Sequence, residues 1–324
     1  MDKRIGYGIA LLIALAAPSF GYPVFLMKLL CFALFASAFN LLIGFTGLLS
    51  FGHAAFFGAA GYAAGNALKH WGLPLELGIL FGMAVAAFIG FVMGGLAIRR
   101  SGIYFSMITL ALAQMVYFGA LRFTDITGGE DGLQGVPRGK LLGIVDLSDD
   151  LNLYYVVLGF TVLAFALIVR TVHSPFGQVL KAIKENEPRA ISLGYDVGRY
   201  KLMAFVLSAA LAGLAGALKT IVLGFETLTD VHWSMSGLVI LMTLVGGMGT
   251  LAGPLLGAIL IIALENKLGD FGTMVASGTG IEWFNTLGEA VSMVTGLIFV
   301  ACVLLFRRGI VGEIAAALGR KKPA

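Results

Sequence analysis

Apolar residues fall in about ten long runs separated by short polar stretches along the whole chain. Most runs approach the roughly 20 residues that a helix needs to cross a bilayer. The pattern predicts an all-α polytopic membrane protein, one membrane domain over residues 1–324, with about ten transmembrane spans. The eighth and ninth runs are short, which indicates broken or re-entrant helices. The runs cover residues 5–20, 24–43, 50–68, 75–98, 103–121, 153–172, 201–224, 232–248, 251–268 and 287–306.

A polar segment at residues 173–201 separates the sixth run from the seventh. Ser174 and Pro175 favour a helix start, because serine accepts hydrogen bonds from free N–H groups and proline loses none in the first turn. The apolar side chains that follow recur at i, i+3, i+4 and i+7, which predicts a helix with one apolar face. These side chains are Phe176, Val179, Leu180 and Ile183.

A second, shorter helix is predicted in the same segment. The residue before a proline disfavours the helical region, so the chain restarts at Asn186-Glu187-Pro188. The new helix, from Pro188 to Leu193, is little more than one turn, and Gly194 ends it. A short, capped helix held outside the bilayer between two spans is suited to docking against another protein.

The other long segment outside the predicted spans covers residues 122–152, where acidic residues outnumber basic ones. Its glycines and a proline predict a turn-rich, ordered outer lid rather than another helix.

Two glycine-rich stretches interrupt the apolar pattern at similar places in the two halves of the chain. The stretch 44–52 follows one span and opens another, and the stretch 246–254 does the same. This predicts two four-span repeats, residues 5–98 and 201–306. Transporters often bind substrate near such interrupted helices. A match this short also arises by chance in a glycine-rich membrane protein.

Pairs of small residues four positions apart occur in several runs, and the chain holds 45 glycines. Small residues let helix backbones approach closely in lipid, so these pairs predict a tightly packed bundle. The pairs are Gly61–Gly65, Gly90–Gly94, Ala212–Gly216, Gly213–Ala217 and Gly253–Gly257.

Composition supports a membrane protein, and the distribution of charged residues predicts how the chain is oriented across the membrane. The chain is 59% hydrophobic and 12% charged, whereas soluble domains average about 25% charged residues. With ten alternating spans and the amino terminus inside, most lysines and arginines fall in inner segments, as expected for cytoplasmic loops. Both termini are therefore predicted to be cytoplasmic. The net charge of +4 reflects this sidedness and does not indicate nucleic-acid binding.

The first run allows a second interpretation, because residues 3–20 resemble a secretory signal with Ala14-Leu15-Ala16 as the cleavage site. A retained first helix is simpler, since nine further spans follow. Cys31 and Cys302 lie in apolar runs, which favours two buried small hydrophobic residues over a disulfide.

No catalytic pattern occurs in the sequence. It lacks the phosphate-loop motif, so ATP hydrolysis is not expected from this chain. The four histidines have no carboxylate or cysteine at metal-ligand spacing. The acids nearest the apolar runs are predicted close to outer helix ends, which argues against an ion-driven carrier with an ionisable group inside the bilayer. These acids are Glu76, Glu226, Glu265 and Glu289.

Polar groups within the runs, such as Asn40, Asn66, Thr109 and Gln114, either form hydrogen bonds between helices or line a path for substrate. For His53, local capping is the alternative to substrate contact. The candidate path residues are Asn40, Gly44, Gly47, Ser50, His53, Gln114, Gly246 and Gly249.

The run Glu187-Pro-Arg-Ala-Ile-Ser-Leu-Gly194 resembles the Glu-x-x-Ala-x-x-x-Gly loop of bacterial ABC importer permeases. The flanking Ser174–Gly177 and Arg199–Lys201, with the upstream stretches 40–53 and 127–133, are similar to the branched-chain amino acid permeases among them. The likeness extends from roughly residue 30 to residue 306 and fits the LivM-type subunit of the permease pair. Pro188 departs from the alanine often found there, but proline suits the first turn of a helix.

The resemblance implies a larger machine in the bacterial inner membrane. A second, related permease subunit would complete the channel, two cytoplasmic ATPases would use ATP and Mg, and a soluble binding protein would deliver substrate from outside. This chain would bind no cofactor and no metal. The implied ATPase-coupling residues are Glu187, Pro188, Arg189, Ala190, Ile191, Leu193 and Gly194. The candidate binding-protein contacts are Thr127, Gly128, Gly129, Glu130 and Asp131.

The expected function is import of branched-chain or other hydrophobic amino acids by alternating access, and the family likeness also allows urea or amides. The alternative is an ATP-independent secondary carrier or channel.

Overall fold

The computed structural model describes residues 3–19, 21–141, 143 and 145–279, together with 293–294, 296–297, 300, 304 and 309–313. Helices dominate these residues. They are α1 (Lys3–Ala16), α2 (Pro23–Thr46), α3 (His53–Lys69), α4 (Leu75–Ala97), α5 (Ile103–Arg122), α6 (Thr124–Thr127), α7 (Asp150–His173), α8 (Pro175–Glu185), α9 (Glu187–Ser192), α10 (Val197–Leu223), α11 (Leu228–Val231), α12 (Trp233–Gly246) and α13 (Gly253–Thr279). The described strands are β1 (Leu133–Gln134), β2 (Lys140–Leu141), β3 (Val145–Asp146) and β4 (Phe225–Glu226).

Five described helices, α2, α4, α5, α7 and α10, are long and apolar enough to cross a membrane. The predicted all-α polytopic membrane protein is confirmed. Each of the first nine apolar runs coincides with a helix. Most of the tenth run, 287–306, lies outside the described residues, as do Glu289, Cys302 and the basic residues after position 313.

The two runs predicted to be short differ in the structure. Helix α12 has 14 residues, but α13 has 27 and continues well beyond the end of its apolar run. The ninth apolar run is thus shorter than the helix that contains it. The polar triplet Glu265-Asn266-Lys267 ends the apolar run without ending the helix, and Asn266 donates to the carbonyl of Ile262 one turn earlier.

Helix α10 lies at the centre of the bundle and packs against α2, α3 and α4. Small residues make these approaches possible, as their spacing predicted. A methyl group added to Gly213 would meet Ala86 of α4, and one added to Gly90 would meet Ala209 of α10. At Gly216 the backbone of Phe57 in α3 is the neighbour.

The outer lid has the turn-rich structure predicted for it. A single helical turn, α6, and a 3-10 turn at Gly129–Asp131 precede β1. Strand β1 pairs antiparallel with β4, so the lid is hydrogen-bonded to the connection that follows α10. Strands β2 and β3 form a second antiparallel pair.

Candidate functional site

Two capped helices form the segment between α7 and α10. The Ser174 hydroxyl accepts from the N–H of Gly177 at the start of α8, and Pro175 occupies the first turn. The Asn186 side chain accepts from the N–H of Arg189 and caps α9. Gly194 ends the pair in the left-handed conformation, with φ of 87°. The two predicted helices are confirmed, with α9 shifted by one residue at each end.

The α8–α9 pair is fastened to the start of α10. Ile183, Ala190 and Val197 form a small buried cluster that joins the three helices. The Lys201 ammonium lies 2.8 Å from a Glu187 carboxylate oxygen, and the lysine side chain is mostly buried. A charge removed from water and paired in this way resists displacement, because breaking a buried pair leaves an unpaired charge.

The solvent-exposed side of α9 carries apolar side chains. Ile191 and Leu193 are 58% and 68% exposed. Pro188, Arg189 and Gly194 are also exposed and Glu187 is half-buried, while Ala190 packs inward. Of the predicted coupling residues, Ala190 and Glu187 therefore stabilise the helix pair, and the others form a surface that a partner can reach.

The two glycine-rich helix breaks, the first at residues 44–52 and the second at residues 246–254, lie against each other. The Asn40 amide of α2 donates to the carbonyl of Thr250 at 2.8 Å and accepts from the N–H of Gly249 at 2.9 Å. Gly44 lies one turn further along α2, and a side chain there would meet the Gly249 nitrogen at 2.8 Å. Gly246 ends α12, with the Gly253 backbone against it. Asn40, Gly44, Gly246 and Gly249 thus hold the breaks together.

The remaining candidate path residues lie apart from this contact. The Ser50 hydroxyl accepts from the N–H of Gly52. His53 is fully buried and its Nε2 lies 2.9 Å from the Ser208 hydroxyl of α10. Gly47 is exposed at the end of α2, and Gln114 is partly exposed on α5. The structure does not bring these four residues together, and their role in a substrate path remains a prediction.

In the outer lid, the candidate docking residues divide into two groups. The buried Thr127 hydroxyl donates to the carbonyl of Ala120 at 2.6 Å and accepts from the N–H of Gly129. These contacts shape the turn. Glu130 and Asp131 are exposed beside the exposed Gly128 and can meet a partner.

Comparison with known protein families identifies a match over most of the chain. The model of the branched-chain amino acid transport system permease component matches residues 24–306. This chain belongs to that family. The family predicted from the α9 motif is confirmed, and it is a family of permeases and not of catalytic subunits.

Several curated permeases are similar to this one. LivM of the high-affinity branched-chain amino acid transport system of Escherichia coli (strain K12) is 30% identical over 254 residues, which are 72% of this chain and 60% of LivM. A probable branched-chain amino acid permease LivM of Methanocaldococcus jannaschii is 25% identical, over 63% of this chain and 60% of its own. The ribose import permease RbsC of Bacillus subtilis (strain 168) is 31% identical, over 61% and 58%. Each match spans less than two thirds of the relative's length.

This permease also contains an ionic cluster that its sequence did not reveal. Lys219 near the C-terminal end of α10, Glu226 of β4 and Asp230 of α11 are all at most 4% exposed. The Lys219 ammonium forms ion pairs with both carboxylates, at 3.3 Å to Glu226. Thr220 donates to Glu226 at 2.5 Å. Glu226 lies just after the end of α10, as predicted for an acid near a helix end, but it is fully buried.

Burial dominates the electrostatics of this cluster. Glu226 lies in the connection after α10, outside the spanning helix. Loss of solvation raises the pKa of its carboxyl to about 8, against the attraction of Lys219. Its Oε1 and the hydroxyl of Tyr62 in α3 have no hydrogen-bond partner among the described residues. Glu226 and Asp230 lie 7 and 11 residues after Lys219 in the sequence. They reach its ammonium because β4 and α11 fold back over the end of α10. The spacing of apolar residues does not predict this fold-back.

Proposed function

We propose that this permease is the membrane subunit of an ATP-driven importer. It would carry branched-chain or other hydrophobic amino acids into the cytoplasm by alternating access, with urea, amides or sugars as further candidates. Two cytoplasmic ATPases, a related second permease subunit and an outer binding protein complete the proposed machine. The proposed location is the bacterial inner membrane, with both termini cytoplasmic.

The observation that carries this proposal is the α8–α9 pair. It is amphipathic, capped at each start, and fastened to α10 through Glu187–Lys201 and the Ile183–Ala190–Val197 cluster. Because the pair is held on one side, a push on α9 is transmitted as rigid-body motion. The exposed Ile191 and Leu193 offer the partner an apolar contact outside the spans.

The first test is affinity capture of the tagged permease from native membranes, followed by identification of the proteins that come with it. Recovery of an ATPase, lost when Ile191 and Leu193 are both changed to Ser, supports the importer. The co-purifying binding protein then defines candidate substrates for a direct uptake assay.

An ATP-independent carrier is the second candidate function, favoured by the buried, ion-paired Lys219 of the spanning helix α10. Ionisable groups inside a membrane bundle often mark ion or proton paths. This candidate predicts solute uptake by vesicles that contain the permease alone. If such vesicles take up no solute, and uptake appears when the ATPases and ATP are added, the carrier is excluded.

Gly194→Val should uncouple the ATPases while the permease still inserts in the membrane. No described atom lies within 4 Å of an added Cβ, so the strain is in the backbone at φ of 87°. A non-glycine residue there costs about 1–2 kcal/mol. We expect uptake to fall several-fold with ATPase activity retained. Gly194→Asn is the matched control, since asparagine tolerates this conformation. Normal uptake by the valine variant would contradict the coupling role of α9.

Asp131→Lys in the lid should weaken binding-protein docking more at low salt than at high salt. The carboxylate is exposed, and salt screens exposed charges over about 10 Å at 0.1 M. Docking is measured as the binding-protein concentration that half-saturates ATPase stimulation. An equal loss at both salt concentrations would indicate altered folding of the lid instead.

A further inference from the structure

Lys184 connects the α8–α9 pair to the first helix break. Its ammonium donates to the carbonyl of Gly44 at 2.7 Å. Gly44 lies in the last turn of α2, where carbonyls lack a partner within the helix. The lysine stem lies across Gly47, whose added Cβ would meet Lys184 Cγ at 3.1 Å. Lys184 therefore caps the negative end of the α2 dipole, a position that favours a cation.

Asn40 continues this connection from the first break to the second. It lies one turn before Gly44, so both face the second break, and its side chain bonds to Gly249 and Thr250. Thr250 in turn organises the start of α13, because its hydroxyl accepts from the N–H of Gly253 at 3.0 Å. Asn40 is 2% exposed, so these bonds form without competing water.

We propose that Lys184 and Asn40 are positioning residues that transmit motion of the α8–α9 pair to both helix breaks. This inference rests on the proposed ATP-driven function and adds the route by which the partner's motion reaches the membrane interior. Motion of α8 pulls on the end of α2 through Lys184, and Asn40 passes the displacement to the residues before α13.

The residues along this route, from Lys184 to Gly44 and Gly249, are in close contact. The backbone at Gly249 approaches Gly44 so closely that any side chain at position 44 would meet the Gly249 nitrogen. At the other end, Phe176 of α8 stacks on Tyr200 of α10 with ring centroids 5.6 Å apart. A bond between an ammonium and a carbonyl is stronger than a neutral one. A displacement of α8 therefore changes the contact of Lys184 with the end of α2.

The test measures both ends of the route in the complex captured from native membranes. Amide hydrogen exchange is followed in peptides that cover residues 44–52 and 246–254, with and without ATP and vanadate. In the unaltered complex we expect ATP to change exchange in both breaks. In Lys184→Met we expect both changes to be lost while ATP hydrolysis continues. In Asn40→Leu we expect the first break to respond and the second not to.

Two further variants separate transmission from a merely structural role. Lys181→Met removes the cation–π contact that a second lysine of α8 makes with Phe45, also in the last turn of α2, at 5.8 Å from the ring centroid. Because this contact includes no hydrogen bond to an α2 carbonyl, we expect both responses to persist, which would assign the transmission to the Lys184 hydrogen bond. Lys184→Arg keeps a cationic donor and should restore part of the response. Since Lys184 as a whole is an exposed residue, its variants should fold and test the proposal even if Asn40→Leu does not fold.

The outcomes distinguish the inference from the proposed function. If both breaks still respond in Lys184→Met, the route is wrong while the ATP-driven function stands. An intact response of the second break in a folded Asn40→Leu complex would likewise overturn the role of Asn40. If the unaltered permease captures no ATPase, the proposed function fails and the inference fails with it. If a captured ATPase hydrolyses ATP but exchange changes in neither break, the inference alone is overturned.

Discussion

Lys219→Met is expected to destabilise the permease more than any change of a surface charge. The substitution leaves the buried Asp230 carboxylate and the Glu226 carboxyl group without their cation. Removal of one partner from a buried ion pair costs about 3–5 kcal/mol. The temperature at which half of the detergent-solubilised protein loses its monodisperse elution peak should fall by an amount on the order of 10 °C.

A second substitution shows whether the loss comes from the unpaired charge. Lys219→Met combined with Asp230→Asn removes both charges of the shortest pair and keeps an oxygen that can accept from Thr227. This double variant should recover much of the lost stability, because the penalty belongs to a carboxylate left without a partner. Lys69→Met is the matched control. Its ammonium donates to the carbonyl of Gln134 at an exposed site, so we expect a change of about 0.5 kcal/mol or less. A Lys219→Met variant as stable as the control would show that the cluster does not stabilise the fold.

The cluster also stabilises the junction of the outer lid with the bundle. Glu226 pairs through its backbone with Leu133 of the lid and through its side chain with α10. Loss of Lys219 should therefore loosen β1 and β4 before the rest of the bundle. If the cluster served only as a proton path, loss of Lys219 would change transport and leave the stability of the lid unchanged.

Local signals in the sequence predicted the helices and their ends well. Apolar runs about 20 residues long define the spans, and the cap at Ser174 acts within one helical turn. Gly194 likewise ends α9 through its own backbone conformation. Such features depend on neighbouring residues only, so a single sequence is sufficient to find them.

Tertiary contacts account for what the sequence did not reveal. Asn40 was a candidate for lining a path, and nothing local shows that it bonds to residues more than 200 positions away. Lys219 lies in an apolar run and resembles a residue at a helix end that reaches towards water. Its burial depends on how β4 and α11 fold back over α10. One signal was available, since a basic residue in a run followed within 11 residues by two acids favours an internal ion pair.

Glycine spacing is the case in which a local pattern predicted a long-range contact. Small residues four apart predicted close helix packing, and α10 contacts α3 and α4 through them. The pattern does not show at which glycines there is no space for an added Cβ atom. That distinction depends on whether the neighbour is a movable side chain or a backbone.

Gly216→Ala should prevent accumulation of folded permease, although it adds a single carbon. The new methyl group would overlap the backbone carbonyl of Phe57 in α3, and a carbonyl inside a helix cannot rotate away. Overpacking of a core typically costs about 1–3 kcal/mol and occasionally more. We expect at least the upper end of that range, because α10 and α3 must separate along their contact. The measurement is the amount of monodisperse protein extracted from membranes and its midpoint temperature.

Gly95→Ala is the matched control for this experiment. Gly95 lies inside α4, and no described atom is within 4 Å of its added Cβ. Alanine favours a helix over glycine by up to about 1 kcal/mol, so this variant should be as stable as the unaltered permease or slightly more so. If Gly216→Ala accumulates and melts like Gly95→Ala, α3 and α10 do not pack as closely as the structure has them. Should both variants fail, the loss would instead reflect a general intolerance of added volume in the spans.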